Sequence, residues 1–160
     1  MVITTRMTFE YAHRFWKHTG EARYLHGHHG ELLIEVEAPI DERGFVQPVK
    51  DIQGIVWDVM QNFDHATLMQ EGDPLLDAIL GVYEKEGIKD GDKDNTQRGT
   101  AFKGTLAWAS PQSRLIVTKK ITTCENMIEI FHELLKDKLK IKALSFQSNA
   151  RNLIVAKQKY

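Results

Sequence analysis

His13, His26 and His28 are the residues whose type and spacing point most directly to chemistry. His26 and His28 lie two apart, so on a strand both rings leave the same face. His13 closes an alternating stretch, on the face that carries Ile3, Thr5, Met7, Phe9 and Tyr11. If the two strands pair, three imidazoles converge. Three nitrogen donors with one open position are the ligand set of a catalytic zinc. Such an ion polarises a carbonyl or hydroxyl oxygen, or acidifies bound water. The alternative is a set of partly buried histidines bonded to their neighbours. His29 falls on the opposite face and is not expected as a ligand, and His18 and His132 carry no comparable pattern.

Asp64-His65 is the second constellation. A carboxylate beside an imidazole orients it and holds its proton, which suits general acid–base work. The same dipeptide also occurs at helix ends with no chemical task.

These residues need elements to position them. Period-two alternation predicts a strand over 2–13, a loop over 16–25 and a second strand from His26 to about Ala38. Pro39, Asp41 and Gly44 mark a turn. Helical spacing of Ile52, Ile55/Val56, Val59/Met60 and Phe63 predicts a helix over 51–63. A second helix is predicted over 74–86, with Asp73 as cap and Pro74 at its first position. Residues 87–100 are polar, charged and glycine-containing, and are expected to form a mobile loop. Residues 101–109 are ambiguous, and 113–121 suit a strand. Thr122 to Glu125 fit a capping box, with Thr122 as cap, opening a helix that runs to about Lys138. Strands over 142–148 and 152–158 close the chain. The order ββα(α)βαββ predicts an α+β fold, an antiparallel sheet covered by helices.

Composition narrows the classes of function. The 160 residues suit one domain with a real core. A formal charge of −1, from 21 basic and 22 acidic residues, argues against a broad nucleic-acid surface. One cysteine forbids an intrachain disulfide and a thiolate-rich metal site. No apolar run approaches a membrane span, and the first residues do not have the pattern of a secretory signal. A soluble, cytoplasmic protein is expected, with no nucleic-acid or membrane partner. Cys124 itself suits a small, semi-buried packing residue.

Together the motifs resemble the 6-pyruvoyltetrahydropterin synthase family, which includes the 6-carboxytetrahydropterin synthases. Phe9-Glu10-Tyr11-Ala12-His13-Arg14 matches its Phe-x-x-Ala-His-Arg stretch, and Leu25-His26-Gly27-His28 its Leu-His-Gly-His block. Gly44-Phe45, Asp64-His65 and Thr123-Cys124-Glu125-Asn126 match later, less specific blocks. The likeness covers roughly residues 3–70 and 113–156. It implies the tunnelling fold, an antiparallel sheet with two helices on one face. It also implies trimers that close their sheets into a barrel, pairs of trimers stacked as a homo-hexamer, and active sites between subunits. Zn2+ would sit on His13, His26 and His28, with Asp64 and His65 as a proton relay. A pterin would be contacted by Thr123 and Glu125.

Three departures bear on the activity. The family keeps a proton-abstracting cysteine shortly before the His-Gly-His block, where this chain reads His18-Thr19-Gly20-Glu21-Ala22-Arg23-Tyr24. Some members use a glutamate in that loop, which makes Glu21 the candidate base. The family's terminal pterin-anchoring glutamate is matched by Gln147. A neutral amide offers one acceptor and one donor group, so it cannot accept two bonds as a carboxylate does. A mismatch of this kind costs about 1–3 kcal/mol. Residues 71–112 insert a helix and a charged loop into the single domain of residues 1–160. The expected function is a zinc-dependent, pterin-synthase-like lyase of altered chemistry, an aldolase-like cleavage or an isomerisation on a pterin or related heterocycle, a dihydroneopterin triphosphate-like substrate. The alternatives are a zinc-containing heterocycle-binding protein without turnover and an assembly protein in which zinc stabilises the fold.

Overall fold

The computed structural model describes residues 1–87, 106–110, 114–148 and 155–160. The chain runs β1 (Val2–His13), a short 3-10 turn (Glu21–Arg23), β2 (His26–Glu37), α1 (Val49–Met60), β3 (Ala66–Gln70) and α2 (Pro74–Lys85). It continues with β4 (Leu106–Ser110), β5 (Leu115–Thr118), α3 (Cys124–Leu135), β6 (Ile141–Ser148) and β7 (Val155–Lys159). The strands form one sheet in the order β4-β5-β3-β1-β2-β6-β7.

β1 and β2 pair antiparallel along their full length, from Val2 opposite Glu37 to His13 opposite His26. The alternation seen in the sequence is the pleat of this pair. Phe9, Tyr11 and His13 are buried on one face, while Glu10 on the other is exposed. Phe9 is the hub of the core, with ring contacts to Tyr11, Phe63, Phe131 and Phe146. Gly30 lets it fit there, since a Cβ at that position would stand 2.9 Å from two Phe9 ring atoms.

The sheet is mixed rather than wholly antiparallel, because β3 pairs parallel with both β1 and β5. The sequence pattern did not reveal β3. Its five residues are covered on both faces, so they show no alternation. Leu68 joins the large core with Ile116. Met69 joins Leu115, Val117 and Leu76 in a second cluster, against which Leu75, Ile79, Leu80 and Tyr83 pack. Alternation along β3 and β5 therefore places α1 and α3 on one face of the sheet and α2 on the other.

α1 buries Ile52, Val56, Val59 and Met60, beginning two residues earlier than the spacing suggests and ending before Phe63. α3 buries Met127, Ile130, Phe131, Leu134 and Leu135 against the same core. Its cap is Thr123, whose side chain accepts from Asn126 N–H, not Thr122. α2 starts as expected, with the Asp73 side chain accepting from Leu75 N–H and Pro74 in the first turn. The inserted region thus supplies a helix on the far face and an edge strand, β4, from the stretch that was ambiguous by pattern. The expected mobile loop, beyond Gly87, lies outside the described residues. Among the described residues, no helix is long and apolar enough to cross a membrane.

Candidate metal centre

The ends of β1 and β2 build the centre. Register puts His13 opposite His26 and Tyr11 opposite His28, so the alternating faces bring all three imidazoles together. Their ring centroids stand 4.7–4.8 Å apart. One nitrogen from each lies within 4.8 Å of the others. His13 is buried, and His26 and His28 are half-buried.

Each ring is also held from behind. His26 Nδ1 is 2.7 Å from the Tyr24 carbonyl, which only accepts, so this nitrogen carries the proton and Nε2 is free to ligate. His13 Nδ1 is 2.9 Å from Thr122 Oγ1, and the Thr122 carbonyl also faces the ring. The Ser148 carbonyl faces His28. Acceptors behind histidine ligands fix tautomer and orientation, as in established metal sites. The donor set therefore fits a zinc ion with an open position.

Electrostatics agree with this fit. Burial, then the neighbouring His28 and His26, push the His13 imidazole down from its ordinary value to about 3. Burial and His26 lower His28 as well. Both rings are neutral at pH 7, the form that binds metal. The metal-free chain should lose stability as the pH falls below 6.5, because unfolded His13 takes up a proton there and the folded residue does not until about 3. Between pH 6.5 and 5 this one group is worth about 2 kcal/mol. Urea unfolding in chelator at pH 7 and pH 5 measures it, and equal midpoints would refute the assignment.

A cavity of about 320 Å3 opens beside the histidines and is also lined by Thr123, Cys124, Glu125 and Ser148. The Glu125 carboxyl is held below the usual range by its own backbone N–H and by the Thr123 side chain, so it is ionised. Cys124 is buried, with Sγ 3.3 Å from Ser148 Oγ. Tyr11 Oη, buried beside Ser148, has no hydrogen bond of normal geometry among the described residues. Cys124, Ser148 and Thr122 were not expected at the site: pattern reads Cys124 as a packing residue and Thr122 as a helix cap, and gives Ser148 no role. Only the alternation of β6, in which Leu144, Phe146 and Ser148 share a face, signalled one of them.

Other expected site residues lie elsewhere within the chain. Glu21 is exposed on the 3-10 turn, and its neighbour Ala22 is the residue that lines the cavity. The bond from Phe15 N–H to the Ala22 carbonyl sets this orientation of the loop. Gln147 pairs with Glu31 and shares its face, opposite to that of Ser148 and Gly30. It is absent from the cavity wall for that reason. Asp64 and His65 do form a dyad, Nδ1 to Oδ2 at 2.9 Å, with Asp64 Oδ1 also accepting from Glu10 N–H. His65 occupies a left-handed backbone conformation, φ 58°, and its own N–H donates to the Glu10 carbonyl. The dyad's imidazole lines a separate, open depression that shares only His28 with the metal cavity. His29, on that same side, pairs with Glu10.

Comparison with known proteins agrees with this architecture. A protein of Wolinella succinogenes, solved as uncharacterized, is 18% identical and superposes with a TM-score of 0.71 over 99% of this chain and 97% of its own. Caenorhabditis elegans 6-pyruvoyl tetrahydropterin synthase is 14% identical, with a TM-score of 0.62 over 100% of this chain and 95% of its own. Both share the fold, the tunnelling fold expected from the motifs. A Halobacterium salinarum protein described as a probable 6-carboxy-5,6,7,8-tetrahydropterin synthase is 35% identical over 76 residues, 48% of either chain. The Rickettsia bellii 6-carboxy-5,6,7,8-tetrahydropterin synthase is 37% identical over 73 residues, 44% of this chain and 52% of its own. The chain spans about half the length of the curated relatives it matches. The family model described as 6-pyruvoyl tetrahydropterin synthase matches residues 2–155. With its fold, its histidine motifs and nearly its whole length so matched, the chain belongs to the 6-pyruvoyl tetrahydropterin synthase family.

Proposed function

We propose that the chain is a zinc-dependent lyase acting on a pterin or related heterocycle that carries a dihydroneopterin triphosphate-like side chain. The observation that carries this is the convergence of His13, His26 and His28 on one point, each ring with an oxygen behind it, in a cavity shared with Glu125. Members of the family are lyases. Zinc held by the three histidines would polarise a side-chain oxygen of the substrate. Thr123 and the ionised Glu125 supply acceptors for a heterocycle's N–H groups. Among the described residues that line the cavity, Glu125 and Cys124 carry groups besides the three imidazoles that could exchange a proton with substrate, and Glu21 is not among them.

The separation of Asp64–His65 from the metal cavity within one chain supports a shared site. In the proposed homo-hexamer the dyad of one chain completes the cavity of a neighbour. The two sheet edges, β4 and β7, are the surfaces on which trimers would close. A cytoplasmic setting goes with this reading. The second reading, a zinc-containing binder without turnover, is favoured by the exposed position of Glu21.

Incubation of the zinc-loaded protein with dihydroneopterin triphosphate separates the two. Release of triphosphate or of a side-chain aldehyde is expected. Tight binding with no product would establish the binder. A wild-type protein that takes up no zinc would overturn both.

A further inference from the structure

We infer that Thr122 is a positioning residue of the metal centre, holding His13 in the ring orientation that coordination needs. The inference rests on the proposal that the three histidines bind zinc. Thr122 Oγ1 lies 2.9 Å from His13 Nδ1, and the two residues are 109 apart in the chain. Thr122 is 2% exposed and His13 3%, so bulk water does not compete for the bond. Phe15 and Tyr11 meet the His13 ring at 4.8 and 5.2 Å, which leaves its flip state as the main freedom to be decided. The bond from Nδ1 to Thr122 Oγ1 favours the orientation that leaves Nε2 to ligate.

Thr122 differs in kind from the other partners. Those behind His26 and His28 are the Tyr24 and Ser148 carbonyls, which no side-chain substitution removes. At His13 the partner at 2.9 Å is a side-chain hydroxyl. Its hydroxyl is available because Thr123, not Thr122, caps α3. The bond also ties the metal ligand to the segment that carries Thr123 and Glu125, both on the cavity wall. Orientation of the metal centre and of the helix start that faces a bound heterocycle are thereby linked through one hydrogen bond.

The test is Zn2+ and Co2+ titration of the full-length chain and its variants. Thr122→Val keeps the shape and removes the hydroxyl, and Zn2+ affinity should fall about tenfold to a hundredfold. The nearer end is expected, since the Thr122 carbonyl still faces the ring. Thr122→Ser should restore near wild-type affinity and an unaltered Co2+ d–d spectrum, which Thr122→Val changes. Thr118→Val is the control: Thr118 is fully buried and its hydroxyl donates to the Lys120 carbonyl at 2.7 Å, outside the metal cavity. It loses a comparable buried bond and should keep wild-type affinity. A folded Thr122→Val protein that binds Zn2+ as the wild type does overturns the inference. So does an equal weakening in Thr118→Val. A wild type that binds neither ion instead overturns the metal centre itself, and this inference with it.

Discussion

His26→Ala should reduce the metal content from about one zinc per chain to background and abolish turnover of dihydroneopterin triphosphate. His26 is the best of the three ligands for this purpose. It is half-buried at the mouth of the centre, so its removal leaves no void in the core. His13→Ala would empty a site that is 3% exposed and packed by Phe15 and Tyr11, and would confound metal loss with unfolding. With two imidazoles left, the donor set falls below that of a catalytic zinc site. Metal analysis after dialysis reads the first effect, and product release reads the second. Retained zinc at wild-type stoichiometry would show that the ion sits elsewhere. Retained turnover without zinc would separate the activity from the metal.

Asp73→Ala should cost about 3 kcal/mol of folding stability. The Asp73 side chain is fully buried and serves two elements at once. It accepts from Nε of Arg14 at 2.8 Å and from the Arg14 Nη2, and it caps α2 through Leu75 N–H at 2.8 Å. The carboxylate in turn raises the Arg14 guanidinium above its ordinary value. Removing Asp73 leaves a half-buried cation unpaired and a helix end unsatisfied. Asp73→Asn keeps the cap and should cost less. Urea midpoints of the three proteins read the difference, and a loss below about 0.5 kcal/mol for Asp73→Ala would refute the pairing. Arg14 directly follows His13. The ion pair therefore fastens the inserted α2, on the far face of the sheet, to the strand end that carries a metal ligand.

Much of this was legible in the sequence because local patterns suffice for it. Alternation over 2–13 and 26–38 placed His13, His26 and His28 on one face, and the β1–β2 register carried that placement into space. Asp73-Pro74 announced α2, because a cap and a first-turn proline act within a few residues. Thr122 and Thr123 show where such reasoning stops. The capping-box spacing points to Thr122, yet Thr123 caps α3 and the Thr122 hydroxyl meets His13, 109 residues away.

The same limit explains Gln147 and Glu21. The motif match gives Gln147 a pterin-anchoring place, and within the chain one residue of register sets it on the face opposite Ser148. Pairing of Gly30 with Ser148 gives the cavity to Ser148. Glu21 stands in a loop, where the Phe15–Ala22 backbone bond, not periodicity, sets which side chain turns inward. β3 was hidden because coverage of both faces erases alternation.

What the sequence determined by itself was the family, the two long strands and the three histidines on one face, since each follows from residue type and short-range period. The tertiary structure decided which oxygens stand behind those rings, that Cys124 and Ser148 share their cavity, and that Asp64–His65 lies apart from them within one chain. Those facts depend on contacts between segments far apart in the chain. Strand register and helix packing create such contacts, and no local pattern encodes them.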